Sequence, residues 1–153
     1  MKTIYLAGPL FNAAERLHNL YLEKYLSLLG YKVILPQREA LNFFDGQKFD
    51  TRGIVQSCIE ACSQNLFVGN ADGADSDSGT CVEYGAAIAT NGIAIVYRTD
   101  FRTDPEKEIG VNAMLKAKGT IFIYEPCYFT RLEEVDPYYQ KLAARIDEAI
   151  RNL

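Results

Sequence analysis

The stretch Leu66-Phe-Val-Gly-Asn-Ala-Asp-Gly-Ala-Asp-Ser-Asp-Ser-Gly-Thr80 opens apolar, turns acidic, and runs into a helical pattern that continues to Thr90. Leu66 to Val68 reads as a short buried strand. Gly69 to Ser78 is turn chemistry: Asp, Asn and Ser side chains bond their own backbone, and Gly reaches conformations closed to other residues. Strand, loop and helix make one unit of a parallel α/β sheet.

The same alternation extends outward on both sides. Upstream, Arg52 to Gln64 is helical, with Ile54, Cys58, Ile59 and Cys62 on one side. Downstream, Ile93 to Tyr97 is an apolar strand, followed by a charged loop from Arg98 to Gly110. Asn112 to Lys118 suggests a short helix, and Thr120 to Tyr124 a last strand. At the start, Thr3 to Ala7 is a strand closed by Gly8-Pro9, and Ala13 to Leu29 is a helix ended by Gly30. Tyr31 to Leu35 is a strand stopped by Pro36, and Gln37 to Asp50 is a long irregular loop. The segment after Pro137 carries Leu142, Ile146, Ala149 and Ile150 on one face, which predicts a closing amphipathic helix. Five apolar runs alternating with helices predict a single domain over residues 1–153, with a parallel sheet, helices on both faces and right-handed crossovers.

Composition narrows the function classes. A net charge of −4 and a pI near 5.0 oppose nucleic-acid and anionic-membrane binding, which need a basic field. No apolar run approaches the length of a membrane span or a signal-peptide core, so a cytoplasmic protein with reduced cysteines is expected. Cys58, Cys62, Cys81 and Cys127 form no CxxC pair, and His18 is the only histidine. No metal site is predicted; the cysteines read as small buried hydrophobes and His18 as a satisfied or surface residue.

Open α/β sheets bind ligands beyond the carboxyl ends of their strands. The loops there are Gly8–Asn12, which includes Phe11, then Gln37 onward, Gly69–Ser78, and Arg98–Asn112. The third carries Asp72, Asp75 and Asp77 and leads to Glu83, four carboxylates within twelve residues. Groups so crowded are solvated, paired or used, and mutual repulsion raises a pKa where they converge. GxGxxG and GxxxxGK[ST] are both missing, and the aspartates repel phosphate. Carboxylates suit sugar hydroxyls and the positive charge that develops when a glycosidic bond breaks. Blander readings stand beside this one. Thr80-x-x-Glu83 matches a capping box, Asp72-Gly73 is an ordinary turn, and Tyr5 in a strand is usually core.

Taken in order, Tyr5-Leu-Ala-Gly-Pro9, Leu35-Pro-Gln37, Asp72 through Thr80, Glu83-Tyr-Gly85, Tyr97-Arg-Thr-Asp-Phe-Arg102 and Asn112-x-Met114 resemble the nucleoside 2-deoxyribosyltransferase family. The resemblance runs from residue 3 to about residue 124. It implies a flavodoxin-like three-layer sandwich with a five-stranded parallel sheet, and double displacement without a cofactor. Deoxynucleosides and free nucleobases would be the substrates. It further implies Glu83 as the nucleophile, Tyr5 as its orienting partner, Asp77 near the sugar hydroxyls, and Gln37 on the base or sugar side. Gly8 and Phe11 fall in the substrate-facing first loop. Asn112 matches an asparagine that reaches a neighbouring subunit's site, implying a homodimer or larger homo-oligomer. Many family members carry an aspartate before the third strand that serves the departing base; ungapped alignment puts Ser57 there, so either Ser57 substitutes weakly or a loop aspartate such as Asp72 or Asp75 serves the base. The rivals are a 2'-deoxynucleoside 5'-monophosphate N-glycosidase, disfavoured because Pro9 to Asn12 offers little of the hydroxyls and nearby arginine that a phosphate pocket needs and the aspartates oppose it, and a non-catalytic nucleotide-binding module.

Overall fold

A computed structural model describes residues 1–102 and 110–153. The chain runs β1 (Thr3–Ala7), α1 (Ala13–Leu28), β2 (Lys32–Ile34), the single turn α2 (Pro36–Glu39), α3 (Thr51–Gln64), β3 (Leu66–Asn70), α4 (Ser78–Asn91), β4 (Ala94–Arg98), β5 (Thr120–Tyr124) and α5 (Val135–Arg151). All neighbouring strands are parallel, in the order β2-β1-β3-β4-β5. After β2 the chain crosses to the other side of β1 to lay down β3, so the switch point lies between β1 and β3. Their carboxyl ends open the crevice there. This is the five-stranded flavodoxin-like sheet that the resemblance implies.

Alternation along each strand divides the core in two. Ile4, Leu6, Val68, Ile95, Tyr97 and Ile123 point to one face, where Leu22 and Leu26 of α1 and Leu142, Ile146 and Ile150 of α5 cover them. Tyr5, Ala7, Phe67, Ala94 and Val96 point to the other, against Cys62 of α3 and Tyr84 and Ala87 of α4. Burial on both sides explains why these strands read as continuous apolar runs. It also sends Tyr5 towards α3 and α4 while its neighbours Ile4 and Leu6 face α1.

Several boundaries differ from the sequence pattern. The expected loop from Gln37 begins as a helical turn, because Pro36 presets φ at its first position and Arg38 and Glu39 donate to the Leu35 carbonyl. A 3-10 turn, Ala40–Phe43, follows. α5 starts at Val135, with Pro137 in the first turn, where a missing N–H breaks no helical bond. The helix expected from Asn112 is a 3-10 turn, Ala113–Lys116. Of the charged loop, residues 103–109 lie outside the described residues. Among the described residues no helix is long and apolar enough to cross a membrane.

Candidate active site

The four carboxylates of the acidic segment have four different fates. Asp72 is consumed by the neighbouring loop. Its Oδ1 accepts from the Thr99 and Asp100 backbone N–H at 2.6 and 2.8 Å, and its Oδ2 from the Thr99 hydroxyl at 2.5 Å. Arg98, buried beside it, donates to the Ala71 and Gly73 carbonyls and binds the same two loops together. Asp75 is exposed. Asp77 caps α4, accepting from the Thr80 N–H at 2.8 Å and the Thr80 hydroxyl at 3.0 Å. That leaves Glu83. α4 starts at Ser78, two residues before the patterned start at Thr80, so the capping role expected of Thr80 and Glu83 belongs to Asp77.

Glu83 turns instead to the sheet, where the Tyr5 hydroxyl donates to its Oε1 at 2.7 Å. Burial raises the Glu83 carboxyl above the usual glutamate range. The bond from Tyr5 opposes that shift, the Asp77 charge adds to it, and the Cys58 thiol lowers it slightly. Burial and the facing carboxylate push the Tyr5 phenol far above its ordinary value, so it stays a donor. Cys58, on α3, has its own thiol pushed up by burial.

Glu83 borders a cavity of about 770 Å³, the size of a small-molecule site, with Tyr5 behind it. Gly8, Phe11, Gln37, Asp77 and Glu83 line it, which brings together five of the residues singled out from sequence. Leu41, Phe49, Ile54, Ile59 and Val82 supply an apolar wall. Four residues do not join them. Asp72 faces a different cavity of about 800 Å³ on the α1/α5 side of the sheet, because Thr99 and Asp100 hold it there. Asp75 and Ser57 are not on the wall. On α3 the helical repeat from Ile54 brings Cys58 to the cavity, not the residue before it. Asn112 is exposed, caps its own turn by accepting from the Met114 N–H at 2.9 Å, and lies off its own chain's cavity.

Sequence reasoning missed Cys58 and Arg16 as wall residues. The Arg16 guanidinium also donates to the Leu10 carbonyl at 3.2 Å, so an arginine does stand at the first loop, contrary to expectation. His18 is satisfied as expected: Nδ1 pairs with the Tyr139 hydroxyl at 2.8 Å and Nε2 with the Tyr97 hydroxyl at 3.0 Å. Burial lowers its pKa, which favours the neutral ring.

A protonated phenol aimed at a half-buried carboxylate beside a roomy pocket holds that carboxylate in one orientation at the cavity wall. A family model described as nucleoside 2-deoxyribosyltransferase matches residues 4–120, a span that contains Tyr5, Glu83 and every residue named above on the cavity wall. The chain belongs to that family. Membership in the nucleoside 2-deoxyribosyltransferase family makes it an enzyme. No curated relative matches it by sequence.

Solved structures share the fold. A conserved protein from Enterococcus faecalis is similar at 22% identity and a TM-score of 0.66, covering 93% of this chain and 99% of its own. A 2-deoxyribosyltransferase from Bacillus psychrosaccharolyticus is similar at 20% identity and a TM-score of 0.62, with 92% and 95% covered. A CMP N-glycosidase from Clostridium botulinum is similar at 16% identity and a TM-score of 0.55, with 92% and 98% covered.

Proposed function

We propose that this enzyme transfers 2-deoxyribose between nucleobases, purines included, by double displacement at Glu83. The observation that carries the reading is the 2.7 Å bond from Tyr5 to Glu83 Oε1 beside the cavity. That bond fixes the carboxylate at the cavity wall, where an oxygen can attack. A Glu83 oxygen attacks C1' of the deoxynucleoside while the C1'–N bond breaks. The departing base takes that electron pair and gains a proton. A second base then attacks C1' through its ring nitrogen, the C1'–O bond breaks, the carboxylate is restored, and the nitrogen loses its proton. Two inversions retain the β-configuration. The apolar wall disfavours water at the intermediate, which transfer requires.

We extend the reading to the assembly. Asn112, exposed and away from its own cavity, serves the site of a second copy in a homo-oligomer. A cytoplasmic salvage role fits this chemistry.

The test is to mix the protein with deoxyinosine and adenine and look for deoxyadenosine. Intact mass should rise by one deoxyribosyl unit, mapped to Glu83. A second reading, hydrolysis of a 2'-deoxynucleoside 5'-monophosphate, is favoured by one observation: Arg16 supplies a cation to the cavity wall. Free deoxyribose 5-phosphate from the monophosphate, with no exchanged nucleoside, would establish that reading in place of transfer.

A further inference from the structure

We propose that Asn19 is a positioning residue that fixes the orientation of the Gln37 amide, and thereby sets which nucleobase edge the Glu83 cavity accepts. The proposal rests on the reading of that cavity as the base-binding pocket.

A glutamine amide has nearly the same shape after a half-turn about its last bond, so only its hydrogen-bond partners tell the two orientations apart. Gln37 lines the cavity and is buried, with Asn19 of α1 buried behind it. Asn19 Nδ2 donates to the Pro9 carbonyl at 3.0 Å and to Gln37 Oε1 at 3.1 Å. Gln37 Nε2 donates to the Arg16 carbonyl at 3.2 Å. The network therefore ends at both sides on backbone carbonyls, which only accept. Reversing Gln37 sets its N–H groups against those of Asn19 and its oxygen against the Arg16 carbonyl. Reversing Asn19 sets its oxygen against the Pro9 carbonyl. Only one arrangement satisfies every buried group, and an unpaired buried group is disfavoured.

The clamp uses one N–H and one lone pair of Gln37. Its remaining N–H and lone pair are held at fixed places. A base edge meeting them needs an acceptor opposite the first and a donor opposite the second. Adenine and hypoxanthine differ in that order, since an amino group on one replaces a carbonyl on the other. Arg16 and Asn19 lie one helical turn apart on α1, so a regular element holds both groups that contact the Gln37 amide.

The experiment compares kcat/KM for adenine and for hypoxanthine as acceptors. Asn19→Asp keeps the size of the side chain and replaces its donors with acceptors. The ratio between the two bases should change about tenfold, mainly through KM, with the pH dependence set by Glu83 unmoved. In a Gln37→Ala background the same substitution should leave the ratio alone. Asn19→Ser, which keeps one donor, should fold if the aspartate variant does not, and should move the ratio about threefold. A fall in melting temperature with an unchanged ratio would show a purely structural role and overturn the proposal. If the wild-type protein exchanges no base, transfer fails as a reading, and the ratio is read from dissociation constants of the two free bases. A changed ratio there still supports the clamp, and no binding of either base overturns it.

Discussion

The Tyr5 hydroxyl meets Glu83 Oε1 at 2.7 Å across 78 positions of sequence, from a central strand to the second turn of a helix. The bond both orients the carboxylate and lowers its pKa against the upward push of burial. Tyr5→Phe keeps the ring that packs near Phe67 and removes only the donor. The variant should lose about 10- to 100-fold in kcat/KM, the worth of a hydrogen bond to a charged group. Its acidic limb should move to higher pH, read from a pH–rate profile.

Asp77 should act on the same profile in the opposite sense. Its charge adds to the upward shift of Glu83. Asp77→Asn keeps an oxygen for the Thr80 N–H and removes the charge, so the acidic limb should move to lower pH while thermal stability holds. Asp77→Ala also loses the cap and should cost about 1 kcal/mol in denaturant unfolding.

Glu83 itself sets stability against function. Burial raises its carboxyl in the fold, so the native state holds that proton more tightly than the unfolded chain. Its contribution is then fully present below the unfolded pKa and is lost as pH rises through the folded one. An amide stays neutral throughout. Glu83→Gln should therefore melt at a higher temperature than the wild type at pH 7, with the gap closing near the ordinary glutamate value of about 4.3. Transfer should fall by about 10⁴-fold or more. A wild-type melting temperature equal to or above the variant's at pH 7 would count against a strained carboxylate.

Sharing of sites is testable by mixing two dead proteins. Glu83→Ala and Asn112→Ala each disable every site in their own homo-oligomers. In a mixed dimer, one site has an intact Glu83 and an intact Asn112 from its neighbour. Random reassociation should restore about a quarter of wild-type activity. No recovery, with mixed dimers shown by native mass spectrometry, would mean that Asn112 serves no partner.

The sheet was legible because strands buried on both faces leave unbroken apolar runs such as Thr3–Ala7 and Ile93–Tyr97, and the helices between them keep their stripes. The start of α4 was obscured because Ser78 and Gly79 are poor helix formers, which made Thr80 look like the first residue. Asp72 was misplaced because its partners are 27 and 28 positions away, beyond any local pattern. Arg16 follows Glu15 in the first turn of α1, and no local pattern marks it until the first loop folds back onto it. Tyr5 and Glu83 were paired by resemblance; the residues alone left Glu83 an equally good role as a helix cap and made Tyr5 an ordinary core residue.

The division of the Tyr5–Glu83 pair between β1 and α4 has a consequence for synthesis. Tyr5 leaves the ribosome early, but its carboxylate partner is useless to it until α4 is made and β3 has zipped alongside β1. The hydrogen bond that holds Glu83 therefore forms only when strand, loop and helix of that crossover are all in place, late in the assembly of the sheet.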